Sequence, residues 1–392
     1  MEKYDVIVIG AGAAGMMAAV TAAKKGAKVL VLDMGSGPLR KVFVSGGGRC
    51  NFTNSAAGAD RYFGENPQFV ISSISGFSPS DMLDWVRSHG LGPSEKSPGQ
   101  YFCGEGAGAF VNALSADACG VEIITGTQVE DVCKVADGYT VISVSASDLG
   151  AGSREWIAPK VIVATGGVSY ASLGVSDIGY KIAKKFGHNI VPPAPGLVGL
   201  KTDAFGADFS GISIMAEISS GDRKVRDSLL FTHSGLGGPA AYRASLFDLS
   251  VGIEIDFMPG KDMAEILVRT KKTEGGILLS TILSADLPKR FVEWIIGDLS
   301  SKRMADCKVA ALLDLAARMN RFKIAEVSRR GFDGAEITMG GVSTDGISSK
   351  TFESKLASGL YFAGEVLDIA GDLGGFNLHF AFASGVAAGN AV

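Results

Sequence analysis

Tyr4-Asp5-Val6-Ile7-Val8-Ile9-Gly10-Ala11-Gly12-Ala13-Ala14-Gly15, running on to Lys28-Val29-Leu30-Val31-Leu32-Asp33, decides the fold. The apolar run Tyr4 to Ile9 predicts a short buried strand. A helix follows the glycines to about Gly26, and Lys28 to Leu32 forms the next strand, so the stretch is a βαβ unit. Gly10 permits a tight turn, Gly12 lets backbone approach a pyrophosphate, and Gly15 allows helix to pack closely on strand. The amides of Ala13 and Ala14 lie at the helix N-terminus, where a positive dipole end meets phosphate. Asp33 stands where a carboxylate hydrogen-bonds a ribose hydroxyl and repels a 2′-phosphate, which favours FAD or NAD over NADP. A glycine-rich turn without ligand is the competing reading, weakened by the strand-helix context.

The rest of the chain bounds the answer. Its 392 residues exceed one ordinary domain, and 46% hydrophobic content excludes a disordered chain. A net charge of −4 gives no basic footprint and argues against nucleic acid or an anionic membrane as partner. The expected partner is a small-molecule substrate. Cys50, Cys103, Cys119, Cys133 and Cys307 have neither CxxC pairing nor regular spacing, so no zinc site or disulfide framework is indicated and a reducing cytoplasm is expected. The N-terminus lacks the features of a signal peptide. Ala370 to Val392 is the most apolar stretch, but Asp372, Asn377, His379 and several glycines interrupt it, which predicts a buried helix rather than a membrane span.

A second glycine cluster, Lys41-Val42-Phe43-Val44-Ser45-Gly46-Gly47-Gly48-Arg49-Cys50-Asn51-Phe52-Thr53-Asn54, separates FAD from NAD. Consecutive glycines wrap an anionic or planar ligand in backbone N–H groups, and Arg49 adds charge-assisted hydrogen bonds. Cys50 beside Arg49 is expected to pack or touch cofactor through its backbone, with a reactive low-pKa thiol as the alternative.

With this segment the chain resembles the HI0933-like, or YhiN/BaiN-like, flavoprotein family of NAD(P)/FAD-dependent oxidoreductases. The resemblance continues in Val161-Ile162-Val163-Ala164-Thr165-Gly166-Gly167, in Leu230 to Pro239, and in Ile337-Thr338-Met339-Gly340-Gly341-Val342. It ends in Gly359 to Asp368 and Gly371-Asp372-Leu373-Gly374-Gly375-Phe376-Asn377-Leu378. It implies bound FAD, with contacts that add Met34, Lys41, Ser45, Val129, Ala164 to Gly167, Gly364, Glu365, Asp368 and Gly374 to Leu378 to the residues above. Free amides at the start of the last helix would face the flavin N1/C2 edge, where negative charge gathers on reduction.

Two departures stand out. Where the family has a Pro and a Gly-Ser-Thr-Gly-Asp-Gly run after Gly167, this chain has Tyr170-Ala171 and Gly174-Val175-Ser176-Asp177-Ile178-Gly179. Where the family has Gly-Arg-Val-Phe-Pro, it has Gly99-Gln100-Tyr101-Phe102-Cys103.

The expected architecture is α/β: a discontinuous Rossmann-type FAD-binding domain with a β-meander, residues 1–190 and 331–392. An inserted substrate or cap domain, 191–330, is β-rich first and helical over about 263–320. Arg329-Arg330 reads as a surface or junction pair, with contact to an anionic substrate as the lesser alternative. No disulfide redox pair follows the first helix, and no second GxGxxG occurs, so a nicotinamide would dock transiently. The four histidines have no metal-ligand spacing, and no GxSxG elbow or Walker loop appears. His233 and His379 lie in family-like motifs and are weak candidates for proton donors, a structural histidine being the commoner case.

Three readings remain. The favoured one, which the resemblance to bile-acid-type reductases implies, is reduction of a conjugated C=C or C=O of a small organic molecule by NAD(P)H through FAD. The others, implied by related flavoproteins that share the fold, are an amine or aminoketone oxidase releasing peroxide, and a non-enzymatic flavin-bearing redox or RNA-associated factor.

Overall fold

The computed structural model describes residues 3–147, 152–206 and 209–392. It divides the chain into two compact units, Met1–Pro195 with Glu336–Val392, and Gly196–Ala335.

The first unit is built on a five-stranded parallel sheet in the order Leu360–Phe362, Lys160–Val163, Val6–Ile9, Val29–Leu32, Glu122–Ile124. Val6–Ile9 and Val29–Leu32 are buried at every position, as central parallel strands covered on both faces must be. Residues Ala13–Lys24 form the crossover helix of the first βαβ unit. Its small side chains let the last helix, Phe376–Ala391, come close: a Cβ on Gly385 would fall 2.4 Å from the Ala14 carbonyl oxygen, and one on Gly389 2.5 Å from that of Ala18. Glycine is therefore required at both positions for the first and last helices to touch. Thr127–Val135, Gly138–Ser145 and Arg154–Ala158 make an antiparallel meander beside the parallel sheet.

The strand Ile190–Gly196 pairs with Ile337–Val342, so the prolines at 192, 193 and 195 still belong to paired structure at the edge of the first unit. The buried C-terminal stretch is not helical from its start. Ala370–Gly371 pairs with Tyr62–Phe63, and the helix begins at Phe376, because Gly374 and Gly375 adopt φ 115° and 96°.

The second unit carries a seven-stranded sheet that contains Ser213–Ser220, Arg223–Thr232, Gly235–Gly237 and Ile253–Asp256. The helices Met263–Thr273, Leu279–Leu283, Lys289–Ile296 and Val309–Asn320 follow, around an aromatic core of Phe205, Phe209, Phe231, Phe257, Phe291 and Phe322. Among the described residues no helix is long and apolar enough to cross a membrane.

Candidate flavin site

At the carboxyl ends of Val6–Ile9 and Val29–Leu32 the three glycines of the first turn do three different things. Gly10 has φ 106°, and a Cβ there would sit 2.4 Å from the Ala164 carbonyl oxygen. A Cβ on Gly15 would sit 1.8 Å from the Gly10 carbonyl oxygen, so Gly15 seats the helix on the turn. Gly12 has φ −77°, open to any residue, and nothing lies within 4 Å of where its Cβ would be. Its hydrogen atom faces space, not protein. The helix that follows has no side-chain cap and no acid in its first turn, so the amides beginning at Ala13 and Ala14 are left for an anion.

Asp33 braces this turn. Its Oδ2 accepts from the Ala11 N–H at 2.6 Å and its Oδ1 from the Gly35 N–H at 2.7 Å. A carboxylate offers about four acceptor positions, so each oxygen can accept one hydrogen bond more. The Asp33 carbonyl accepts from Thr127 N–H at 2.8 Å, which ties the meander to the same end. Val129, two residues on, is buried at a register irregularity. Met34 lies beside Gly174, whose Cβ would fall 3.4 Å from the Met34 Cε.

The second glycine cluster breaks a helix. Residues from Arg40 wind helically, Ser45 turns extended at ψ 149°, and Gly46, Gly47 and Gly48 take φ 58°, 65° and 79°. Three successive left-handed residues are affordable only as glycine. Nothing lies within 4 Å of a Cβ on Gly47 or Gly48. Arg49 is exposed, with its guanidinium 5.2 Å from the Phe102 ring centre. Cys50 is fully buried, and burial pushes its thiol up, which removes the reactive-thiolate alternative.

The rest of that motif is a clamp on the C-terminal block. The Asn51 side chain donates to the Tyr101 carbonyl and accepts from the Gly375 N–H, both at 3.1 Å. Thr53 Oγ1 bonds His379 Nδ1 at 2.9 Å, and Asn54 Nδ2 donates to the Gly374 carbonyl at 2.8 Å. Gln100, in place of the family's arginine, lies against the same turn: a Cβ on Gly374 would be 2.3 Å from its Nε2.

Asn377 folds back on the loop before it, accepting from Gly371 N–H at 2.7 Å and donating to the Gly371 carbonyl at 2.8 Å. Phe376 is buried and edge-on to Tyr62, whereas Gly375, Asn377 and Leu378 are partly exposed. The last helix thus also opens uncapped, with no acid in its first turn. Asp368 is not free. Its carboxylate accepts from Glu65 N–H at 2.8 Å, and burial pushes its pKa up.

Lys41, the Ala164-Thr165-Gly166-Gly167 turn and Glu365 converge in a polar network that extends to residues without an expected role. Glu365 accepts from Lys41 Nζ at 3.1 Å, Ser169 Oγ at 3.2 Å, Thr338 N–H at 2.9 Å and Gly167 N–H at 3.4 Å. Thr338 Oγ1 accepts from the amides of Val168 and Ser169 at 2.8 and 3.0 Å. Nearby, Thr165 Oγ1 and the Tyr180 hydroxyl are buried with no partner among the described residues, and burial, aided by Glu365, pushes the Tyr180 phenol up. Gly364 has φ 76°, and its N–H donates to Ser384 Oγ at 3.0 Å in the last helix. Thr338 was quoted as part of a motif, but only its contacts reveal that it holds the Gly167 turn.

The two histidines part company. His379 is buried, stacked on Phe77 and bonded to Thr53, and desolvation pulls its pKa down to about 4. It is a neutral element of the clamp. His233 is exposed on the hairpin turn between Arg223–Thr232 and Gly235–Gly237 in the second unit.

A parallel α/β sheet with a Gly-x-Gly-x-x-Gly turn, a carboxylate on the second strand and an uncapped return helix defines the class: an FAD-dependent oxidoreductase. Within it, the chain belongs to the HI0933-like family, since residues 4–391 match the family described as HI0933-like protein Rossmann domain. It is 38% identical to a ribosomal RNA dihydrouridine synthase of Haemophilus influenzae, covering 99% of this chain and 98% of that one. It is 35% identical to a ribosomal RNA dihydrouridine synthase of Escherichia coli, covering 98% and 96%. A 3-dehydro-bile acid delta(4,6)-reductase of Clostridium scindens is 29% identical over 98% of both chains.

These relatives overturn the expectation of a small-molecule partner and no nucleic acid. The expectation rested on a net charge summed over unlike parts. The first unit has 18 basic and 23 acidic residues, but Gly196–Ala335 has 19 basic and 18 acidic, so the acidic balance belongs to one unit alone.

Proposed function

We propose that the chain reduces the C5=C6 double bond of a uridine in ribosomal RNA, with NADH or NADPH as electron donor. Full-length identity of 35 and 38% to two proteins named ribosomal RNA dihydrouridine synthases carries this reading. The bond is conjugated to the C4 carbonyl, the type of double bond that the family resemblance implies. The net reaction transfers a hydride and a proton to uridine and oxidises NAD(P)H, so atoms and electrons balance.

The residues fit FAD: space at Gly12, two uncapped helix N-termini and a braced Asp33 answer its diphosphate, flavin edge and ribose. Bound there, FAD would supply hydride-transfer chemistry between a nicotinamide and the polarised double bond. Amides after Gly12 would hold its diphosphate, and Asp33 would hold a ribose hydroxyl. Amides of Phe376, Asn377 and Leu378 would face the flavin's pyrimidine edge and stabilise negative charge there. Asn51, Asn54 and Thr53 fix that helix start, and Lys41 with Glu365 fixes the Gly167 turn. Conjugation of the target bond lets its carbonyl take up charge during hydride addition.

The test has two stages. Purified protein should be yellow and bleach anaerobically with NADH or NADPH. It should then form dihydrouridine, read by nucleoside mass spectrometry, in ribosomal RNA isolated from a strain lacking the gene. Bleaching with no dihydrouridine in that RNA would refute the substrate; a colourless protein that FAD cannot reconstitute would refute the cofactor.

A further inference from the structure

We propose that Arg330, with the hairpin turn Thr232-His233-Ser234, forms an anion subsite in the second unit that takes a phosphodiester of the RNA. The assignment rests on the RNA reading above.

The site arises from strand register. Leu200–Lys201 pairs on one side with Ser328–Arg329 and on the other with Gly235–Leu236. Gly199 and Arg330 lie one residue beyond the Leu200 end of those pairs and Ser234 one residue beyond the Lys201 end, so the Arg330 side chain reaches back along the sheet to the hairpin turn. Arg330 N–H donates to the Gly199 carbonyl at 2.9 Å. A Cβ on Gly199 would lie 3.2 Å from both Cδ and Nε of Arg330, so the missing side chain gives room to the arginine stem.

The two neighbouring arginines differ in how they spend their donors. Arg329 gives Nε to the Ser245 carbonyl at 2.6 Å and Nη2 to the Phe247 carbonyl at 2.7 Å, which is a fold-holding role. Arg330 gives Nη2 to the hydroxyls of Thr232 and Ser234, and its buried Nε–H has no acceptor among the described residues. Among the described residues no carboxylate pairs with it. A half-buried guanidinium without a counter-ion is unfavourable unless something anionic arrives.

The hydroxyls orient the charge without cancelling it. The Thr232 hydroxyl donates its hydrogen bond to the Gly235 carbonyl at 3.1 Å. Among the described residues the Ser234 O–H has no acceptor, so it can donate outward beside the guanidinium. His233 is exposed at the tip of the turn, and exposed Lys201 stands opposite Gly235 in register. One fixed cation, one hydroxyl donor and a neighbouring imidazole and ammonium suit a phosphate oxygen pair. The diphosphate of NAD(P)H has the same chemistry, so the experiment must separate the two.

Full-length, flavin-loaded wild type, R330Q, R330K and S234A are compared on the same ribosomal RNA across a salt series, and by anaerobic bleaching with NADPH. For R330Q, KM for RNA should rise about tenfold, and the slope of log affinity on log salt should shrink by about 0.7 to 0.9, one phosphate contact. S234A should raise KM less and leave the slope unchanged. R330K should restore the slope and part of the affinity. An unchanged slope in R330Q, with wild type active, overturns the subsite alone and leaves Arg330 a hairpin anchor. A raised NADPH requirement in R330Q assigns the anion to the dinucleotide and overturns the RNA assignment. A wild type that neither binds nor modifies RNA overturns both this and the proposed function.

Discussion

Substituting Gly12 and Gly15 should separate cofactor binding from folding within a single turn. A Cβ at Gly12 meets nothing within 4 Å, and the backbone there, φ −77° and ψ −171°, suits any residue. Gly12→Val should therefore leave the apoprotein within about 1 kcal/mol of wild type, the lost N-cap preference and the less flexible unfolded chain roughly offsetting each other. The same side chain would occupy the diphosphate's place. Overpacking of about 1–3 kcal/mol, plus amide contacts to a charged group worth about 1.5–3 kcal/mol, predicts FAD affinity lowered roughly 100-fold or more. Gly15→Ala does the opposite, since its Cβ would stand 1.8 Å from the Gly10 oxygen and the helix must move off the turn. That should cost the apoprotein about 3 kcal/mol or more. The assay is thermal denaturation of the two apoproteins beside titration with FAD followed by flavin fluorescence. A Gly12→Val protein that stays yellow, or one as destabilised without FAD as Gly15→Ala, would refute the division of roles.

His379 provides a pH test. Its folded pKa of about 4 lies below the ordinary 6.5, so the unfolded chain binds the extra proton between those values and stability rises with pH there. The contribution is full above about pH 6.5 and falls on acidification toward 4 by on the order of 3 kcal/mol, which His379→Gln should flatten in urea melts at several pH values. Glu365→Ala should destabilise by about 2–4 kcal/mol because it strands Thr338 N–H, Ser169 and the Lys41 charge; Lys41→Met should cost less, and equal losses in urea melts would contradict this network. Asn54→Ala should speed flavin release more than it lowers the melting temperature, as read by stopped-flow fluorescence, because it unpins the Gly374 turn. Iodoacetamide should label exposed Cys119 in the native protein and spare Cys50 until unfolding, which peptide mass spectrometry reads.

Local signals were the legible ones. The βαβ turn could be read because each of its glycines answers a backbone demand within a few residues, and the last helix because its apolar run is long. The break at Ser45 was invisible, since Arg40 to Val44 winds helically and only the left-handed glycines end it. Asn51 reads as a cofactor ligand, and Thr53 and Asn54 carry no role of their own in the sequence, although the three side chains reach Gly375, His379 and Gly374 at the far end of the chain. Periodicity carries nothing about such pairings. The same holds for Thr338, which holds the amides after Gly167 from a strand that gave no chemical signal. Charge misled because it was summed over the whole chain, where an acidic unit masks a nearly balanced one.

The contact of Gly385 with Ala14 and of Gly389 with Ala18 sets an order of events during synthesis. The nucleotide turn leaves the ribosome first, but the helix that packs on it leaves last. Until then the Ala-rich first helix has one apolar face uncovered. Premature termination anywhere before Phe376 therefore strips the cover from the first helix as well as removing the last.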